Sequence, residues 1–201
     1  MPASADILNN GLFAGYVGQF ETVGSGNCGS PCLPVGTITG WTVTQGNVDW
    51  IGNYWQASPG SGNSIDMDGF YSAGGISQTV YLGPGQYVLS FYLAGNSYDT
   101  PNHSPIKHLN VSAGSVSENF AFDTTGKSNG NMGWVKETVS FNASGLTTIA
   151  FKSTDTVDIA WGPAIGSASL LQVSEFGFYS YSAFMGGLAG LVMFVMRKRR
   201  A

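Results

Sequence analysis

The sequence predicts an all-β domain, a sandwich of short strands, and three observations carry that expectation. Twenty-nine glycines and 13% aromatic residues accompany abundant Ser, Thr and Asn, the composition of strands joined by tight turns rather than of helices. Only 10% of residues are charged, well under the roughly one quarter usual in soluble domains. Between residues 37 and 173, apolar and polar positions alternate in short runs bounded by turn residues, enough for roughly nine or ten strands.

In chain order, "NVDWIG" (Asn47 to Gly52) sets Val48 and Trp50 on one face and Asp49 and Ile51 on the other, which assigns Trp50 to the core. "SIDMDG" (Ser64 to Gly69) turns Ile65 and Met67 inward and leaves Asp66 and Asp68 outward, beside a glycine turn. "YVLSFYL" (Tyr87 to Leu93) places Tyr87, Leu89, Phe91 and Leu93 on one face. Leu109 with Val111, Phe120 with Phe122, and Val139 with Phe141 repeat the alternation, and "TTIAFKS" sets Ile149 and Phe151 against Ala150 and Lys152. Trp41, Trp134 and Trp161 are assigned to the core. At 201 residues and 43% hydrophobic content, the chain suits one domain of ordinary size with short appendages.

Charge excludes one class of function. Residues 1–196 hold four lysines (Lys107, Lys127, Lys136 and Lys152), no arginine and all twelve acids, a formal charge of −8. A phosphate backbone needs a basic footprint, so nucleic acid is not an expected partner. Cys28 and Cys32, in "CGSPC", have three residues between them, where redox and zinc motifs leave two, and no second Cys or His pair stands nearby. A small loop disulfide between them in an oxidising compartment is the expectation. His103 and His108 lie in or beside a Pro-rich loop.

The two ends carry targeting signals. Gly177 to Met196 contains no charge, and twenty residues at 1.5 Å rise cover about 30 Å of hydrocarbon. Arg197, Lys198, Arg199 and Arg200 follow at once, so the positive-inside rule places this tail in the cytoplasm and the preceding domain outside. The expected organisation is a domain over 6–174, a transmembrane or sorting helix over 175–196, and a basic cytoplasmic tail over 197–201. Such an orientation requires export. Ala3-Ser4-Ala5 before Asp6 has the small-residue pattern that ends a secretory signal, so residues 1–5 read as its remnant. The C-terminal segment resembles the PEP-CTERM sorting signal, with "VSEF" in place of its Pro-Glu-Pro and only Glu175 retained. That resemblance implies an exosortase-type processing enzyme as a partner.

Longer stretches carry a second resemblance: "GWTVTQGNVDWIGNYWQA" (Gly40 to Ala57), "SIDMDG", "ISQT" (Ile76 to Thr79), "LAGN" (Leu93 to Asn96), "FDTTGKSNGNMGW" (Phe122 to Trp134) and "GPAI" (Gly162 to Ile165). These resemble the choice-of-anchor C family, also catalogued as domain of unknown function 642. The resemblance implies a galactose-binding-like jelly roll. Two positions depart from the family pattern: Ala14 ends "NGLFA" where the family tends to Glu, and Gly166 follows Ile165 where it tends to Asp. Such carboxylates hold structural calcium in folds of this kind. Their replacement leaves backbone carbonyls with Asp6 or Glu21, so no tight calcium is expected there. No cofactor is expected either.

Asp49, Asn53, Tyr54, Trp55 and Gln56 form the candidate site. Gly52 and Asn53 suggest a loop after the strand, and a loop aromatic can stack on the apolar face of a pyranose while Asp, Asn and Gln bond its hydroxyls. The alternative is that these rings close one end of the sandwich. Catalysis by a carboxylate pair among Asp49, Asp66, Asp68 and Asp123 would resemble glycoside hydrolysis, but no spacing selects a pair, and no GxSxG or HExxH signature is present. Gly126-Lys127-Ser128 lacks the first glycine of a phosphate-binding loop. The sequence therefore favours a non-enzymatic, membrane-anchored surface module that binds polysaccharide. A structural or adhesive protein with a protein partner is the alternative, and a glycan-active hydrolase a third reading.

Overall fold

Two strands expected as short ones are long. β7 (Gly75–Gly95) and β10 (Val135–Ser153) form a continuous antiparallel ladder from Gly75↔Lys152 to Leu93↔Val135. The ladder is interrupted once, where the register shifts between Ala143 and Gly145 opposite Gly83-Pro84-Gly85. Pro cannot donate to a ladder, and a bulge bends the strand that carries it. Gly83-Pro84-Gly85 therefore bend the strand without ending it.

The bend makes the sandwich. Phe151 pairs with Ile76, and Ile76 and Phe91 would stand roughly 50 Å apart along a straight strand at ~3.3 Å per residue. Yet the Phe91 and Phe151 ring centroids are 5.2 Å apart, edge to face. The ribbon therefore doubles over, and each half joins a different layer.

The computed structural model describes residues 5–25, 37–60, 62–70, 72–97, 104–156 and 160–173. Its remaining strands are β1 (Phe20–Gly24), β2 (Thr42–Gln45), β3 (Asn47–Ile51), β4 (Ser64–Asp66), β5 (Asp68–Gly69), β6 (Ser72–Ala73), β8 (Ile106–Ala113), β9 (Val116–Asp123) and β11 (Pro163–Gln172). One layer runs β1-β3-β4-β11 and on to the second half of β7. The other joins β2, the first half of β7, the second half of β10, β8 and β9. β5 and β6 form a separate hairpin. Among the described residues there is no helix, so none is long and apolar enough to cross a membrane. Cys28, Cys32, His103, residues 1–4, the segment 175–196 and Arg197, Lys198, Arg199 and Arg200 lie outside the described residues.

The alternation holds through the core. Tyr87, Leu89, Phe91, Leu93, Leu109, Val111, Val139, Phe141, Ile149 and Phe151 are all buried. Phe91 also meets Phe120 at 5.3 Å, and Trp41 meets Phe151 at 5.8 Å and Phe13 at 5.4 Å. The N-terminal segment is fastened by buried Gln78, whose Nε2 donates to the Asn9 and Gly40 carbonyls while its Oε1 accepts from the Asn9 amide. Asp6, considered above as a calcium ligand, has one carboxylate oxygen accepting from the Leu8 and Leu170 amides. Gly166 lies against Ser58, and a Cβ there would overlap the Ser58 Cβ and Oγ; the missing family carboxylate has no room in this packing. Ala14 and Glu21 are exposed. Among the described residues no three His, Cys, Asp or Glu side chains are grouped to hold a metal. His108 falls on β8, beside the Pro-rich loop, and its Nδ1 lies 2.8 Å from Asp155 Oδ1.

Phe91 is fully buried and touches rings from the opposite layer. Phe91→Ala should cost about 3–5 kcal/mol, read as a lowered urea midpoint with little change in slope.

Candidate functional site

β1, β3 and β4 lie side by side, so their registers decide which side chains share a face. Thr22 pairs with Asp49 and Asp49 with Asp66. One step along, Phe20 pairs with Ile51 and Ile51 with Ser64. All six therefore point to the same side of the sheet, opposite to the core-facing Val48, Trp50 and Ile65. On an open sheet this face would be wet. Here Ile51, Ser64 and Asp66 are buried, because the chain after β3 folds back over it.

Local contacts explain the fold-back. The Gly52 and Asn53 amides donate to the Gln19 and Gly18 carbonyls, and a Cβ on Gly52 would overlap the Gly18 carbonyl oxygen; only glycine permits that approach. Asn63 Nδ2 then ties the far end of the loop to the Tyr16 and Ile51 carbonyls. Trp55 is pressed down against the sheet, 5% exposed, and its Nε1 donates to Ser64 Oγ at 2.8 Å.

A cavity of about 270 Å³ is left between the sheet face and its cover. Thr22, Asp49, Ile51 and Asp66 form its floor, Tyr54, Trp55, Phe20 and Phe70 one set of walls, and Asn96, Ala160 and Trp161 the other. The rings are consecutive, with Phe20 to Tyr54 at 5.4 Å and Tyr54 to Trp55 at 6.0 Å. Phe20, Phe70 and Tyr54 reach solvent at 47%, 47% and 36% exposure.

Of the five candidate residues, the structure brings Asp49, Tyr54 and Trp55 to this cavity. Trp55 is a buried wall rather than an exposed loop aromatic. Gln56 is turned elsewhere: its Oε1 accepts from the Met132 amide, its amide donates to the Asn129 carbonyl, and its carbonyl accepts from Trp134 Nε1. Asn53 is exposed and does not line the cavity. Asp66 and Asp68 are buried rather than outward, because the loop and the 160–162 segment cover the face that alternation left open. Trp161 borders the cavity instead of filling the core. Trp41 is buried and Trp134 half-buried. Asp123 is exposed at the end of β9, where its Oδ1 accepts from the Thr125 amide in a turn, remote in role from the other three acids.

Asp66 is the electrostatic centre of the floor. Its Oδ1 accepts from the Asp68 and Gly162 amides, both at 3.1 Å, and its Oδ2 from Asn96 Nδ2 at 2.8 Å. Burial raises its pKa well above the ordinary carboxylate value, and the neighbouring charges of Asp49 and Asp68 raise it further, against the lowering by its hydrogen bonds. Asp49 is also raised by burial, partly offset by a bond from the Thr22 side chain. Its Oδ1 has no hydrogen-bond partner.

These directions fix a stability profile. A carboxyl whose folded pKa lies above its unfolded value binds its proton more tightly in the folded state. Its stabilising contribution is complete below the unfolded pKa, about 4, and is lost as pH rises through the folded value. The melting temperature should therefore fall as pH is raised from about 4 toward neutrality, and Asp66→Asn, which keeps the shape without the charge, should flatten the profile. Calorimetric scans of both proteins across that range check it.

Residues 17–170 match the family described as a protein of unknown function, DUF642. Halomucin of Haloquadratum walsbyi is 29% identical over 173 residues, 85% of this chain, which spans only 2% of that protein's length. Among solved structures, a family 35 carbohydrate-binding module from Paenibacillus barcinonensis aligns at 16% identity and a TM-score of 0.45, over 76% of this chain and 99% of that one. One from Clostridium thermocellum aligns at 14% and 0.45, over 66% and 93%. A module of Cellvibrio mixtus lichenase 5A in complex with cellotriose aligns at 13% and 0.38, over 68% and 89%. The match spans three quarters of the sequence and takes in every strand that builds the cavity, and the chain belongs to the DUF642 family.

Proposed function

We propose that this chain is a surface module that retains polysaccharide in the cavity over β1, β3 and β4, without catalysis. The observation that carries this reading is the pairing of solvent-exposed rings with a floor of fixed hydrogen-bonding groups. Phe20, Tyr54 and Phe70 offer flat apolar faces at the rim, and Asp49 with Asn96 offers polar partners below them. That combination suits the two-sided chemistry of a pyranose. The volume lies near the lower end of the ~300–1,000 Å³ typical of small-molecule sites, which suits one sugar unit rather than a long stretch of chain.

The position of Asp66 supports a binder over a hydrolase. A glycosidase needs a carboxylic acid free to reach the glycosidic oxygen. Asp66 is fully buried, with both oxygens occupied by protein donors, which leaves Asp49 without an accessible partner in the cavity. The jelly-roll relationship, export, the C-terminal helix as a membrane anchor and its processing by an exosortase-type enzyme belong to the same proposal. They rest on the sequence signals of the two ends and on the resemblance to the choice-of-anchor C family.

Retention of the protein on insoluble polysaccharides and a glycan array tests the reading. Tyr54→Ala should lower retention tenfold or more while leaving the melting temperature nearly unchanged, since Tyr54 stands at the rim. Trp55→Ala should instead destabilise the fold by about 3–5 kcal/mol, because it empties a buried site. A folded protein that no glycan retains would replace this reading with a structural or adhesive role toward a protein partner.

A further inference from the structure

The carbohydrate reading leaves the charge of the ligand open, and the cavity's own chemistry narrows it. Asp49 and Asp66 stand side by side on the floor, with Asp68 close enough to act on Asp66. None of the described residues lining the cavity is basic, and among the described residues neither Asp49 nor Asp66 has an ion-pair partner. Buried carboxyls ordinarily keep their proton, pair with a cation or bind a metal, because desolvation penalises the charged form.

Two kinds of cation could answer that deficit. A calcium ion needs six to eight oxygen ligands at short range, and no metal-binding group of three acidic or histidine side chains is assembled among the described residues. An organic ammonium needs less: a carboxylate to accept its hydrogen bonds and aromatic faces to meet its charge. Both are among the residues lining the cavity: Tyr54, Trp55, Phe20, Phe70 and Trp161 border it together with Asp49, whose buried Oδ1 is bonded by no protein group. A quaternary ammonium would use the rings but has no proton to give Asp49. A primary ammonium on a sugar ring gives hydrogen bonds to the carboxylate and sets its apolar ring face against the aromatic rim.

We infer that the cavity over β1, β3 and β4 selects an amino sugar carrying a free ammonium group, with Asp49 as its hydrogen-bonding counter-ion and the surrounding aromatic rings as its cation-π and stacking walls. This rests on the carbohydrate reading above.

The test is calorimetric titration of the full chain with β-linked glucosamine oligomers and with fully N-acetylated oligomers of the same length. Near pH 6 the free-amine form should bind at least tenfold more tightly. The preference should weaken with added salt and collapse as pH rises past the pKa of the sugar amine, fixed by titrating the same oligomers alone. Tyr54, Asp49, Asp66 and Asp68 are the protein groups whose titration must be followed alongside. Asp49→Asn should remove most of the preference while leaving the weaker binding of the acetylated form. If that variant does not fold, the wild-type pH and salt series decides the matter. Equal or tighter binding of the acetylated form, or competition by choline as effective as by glucosamine, overturns the inference and leaves the carbohydrate reading standing. A folded protein that binds neither oligomer and is retained by no glycan overturns both.

Discussion

The architecture depends on one bent ribbon. β7 and β10 stay hydrogen-bonded to each other across both layers, so the relative position of the layers is set by a single bulge at Gly83-Pro84-Gly85 opposite Ser144. Everything else attaches to one half or the other. β11, β4, β3 and β1 add to the half containing Phe91, and β2, β8 and β9 to the half containing Phe151. The ring contact between those two phenylalanines closes the fold. A continuous ladder satisfies its backbone groups through the bend, which two separate strands joined by a loop would do only by finding other partners.

The cavity follows from what happens to the outer face of one layer. Three strands present Thr22, Asp49 and Asp66 in a row, and three separate segments then cover that row: the loop after β3, the end of β7 at Asn96, and the 160–162 segment. Asp66 binds two of them directly, through Asn96 Nδ2 and the Gly162 amide. The buried carboxyl at the middle of the floor thus also holds its cover in place. Close packing reinforces this, since a Cβ at Gly162 would lie 2.6 Å from the Asp68 Cβ and Cγ. Burying a carboxyl in this way is costly unless its oxygens are satisfied, and three donors satisfy them.

The core was legible in the sequence because it obeys a period of two. Every apolar residue assigned inward on "YVLSFYL" and "TTIAFKS", and in Leu109, Val111, Val139 and Phe141, is buried. The same rule failed for Asp66 and Asp68 for a definite reason: alternation says which residues share a face, and nothing about whether a distant loop will cover the second face. Ile51 was the available hint, an apolar residue on the supposedly polar side of β3. Tyr54 and Asp49 were found because they sit in one conspicuous stretch. Phe20, Asn96 and Trp161 were missed because they come from three other places in the chain and meet only through the β1-β3-β4-β11-β7 order. Gln56 looked like a hydroxyl partner by residue type, but its partner is a backbone turn more than seventy residues away.

That last attachment has a consequence for how the module can diverge. Gln56 clasps the turn at 129–132 and Trp134 through three hydrogen bonds, while Gly52 and Asn63 pin the loop at its other points. The anchors of the loop are therefore separate from the side chains it displays, those of Asn53 and Tyr54, since Asn53 anchors through its backbone amide alone. Substitution at the displayed positions leaves the anchors intact, so the rim can be rewritten without redesigning its support. The side chains at the rim and the bonds that hold the loop can thus change independently of each other.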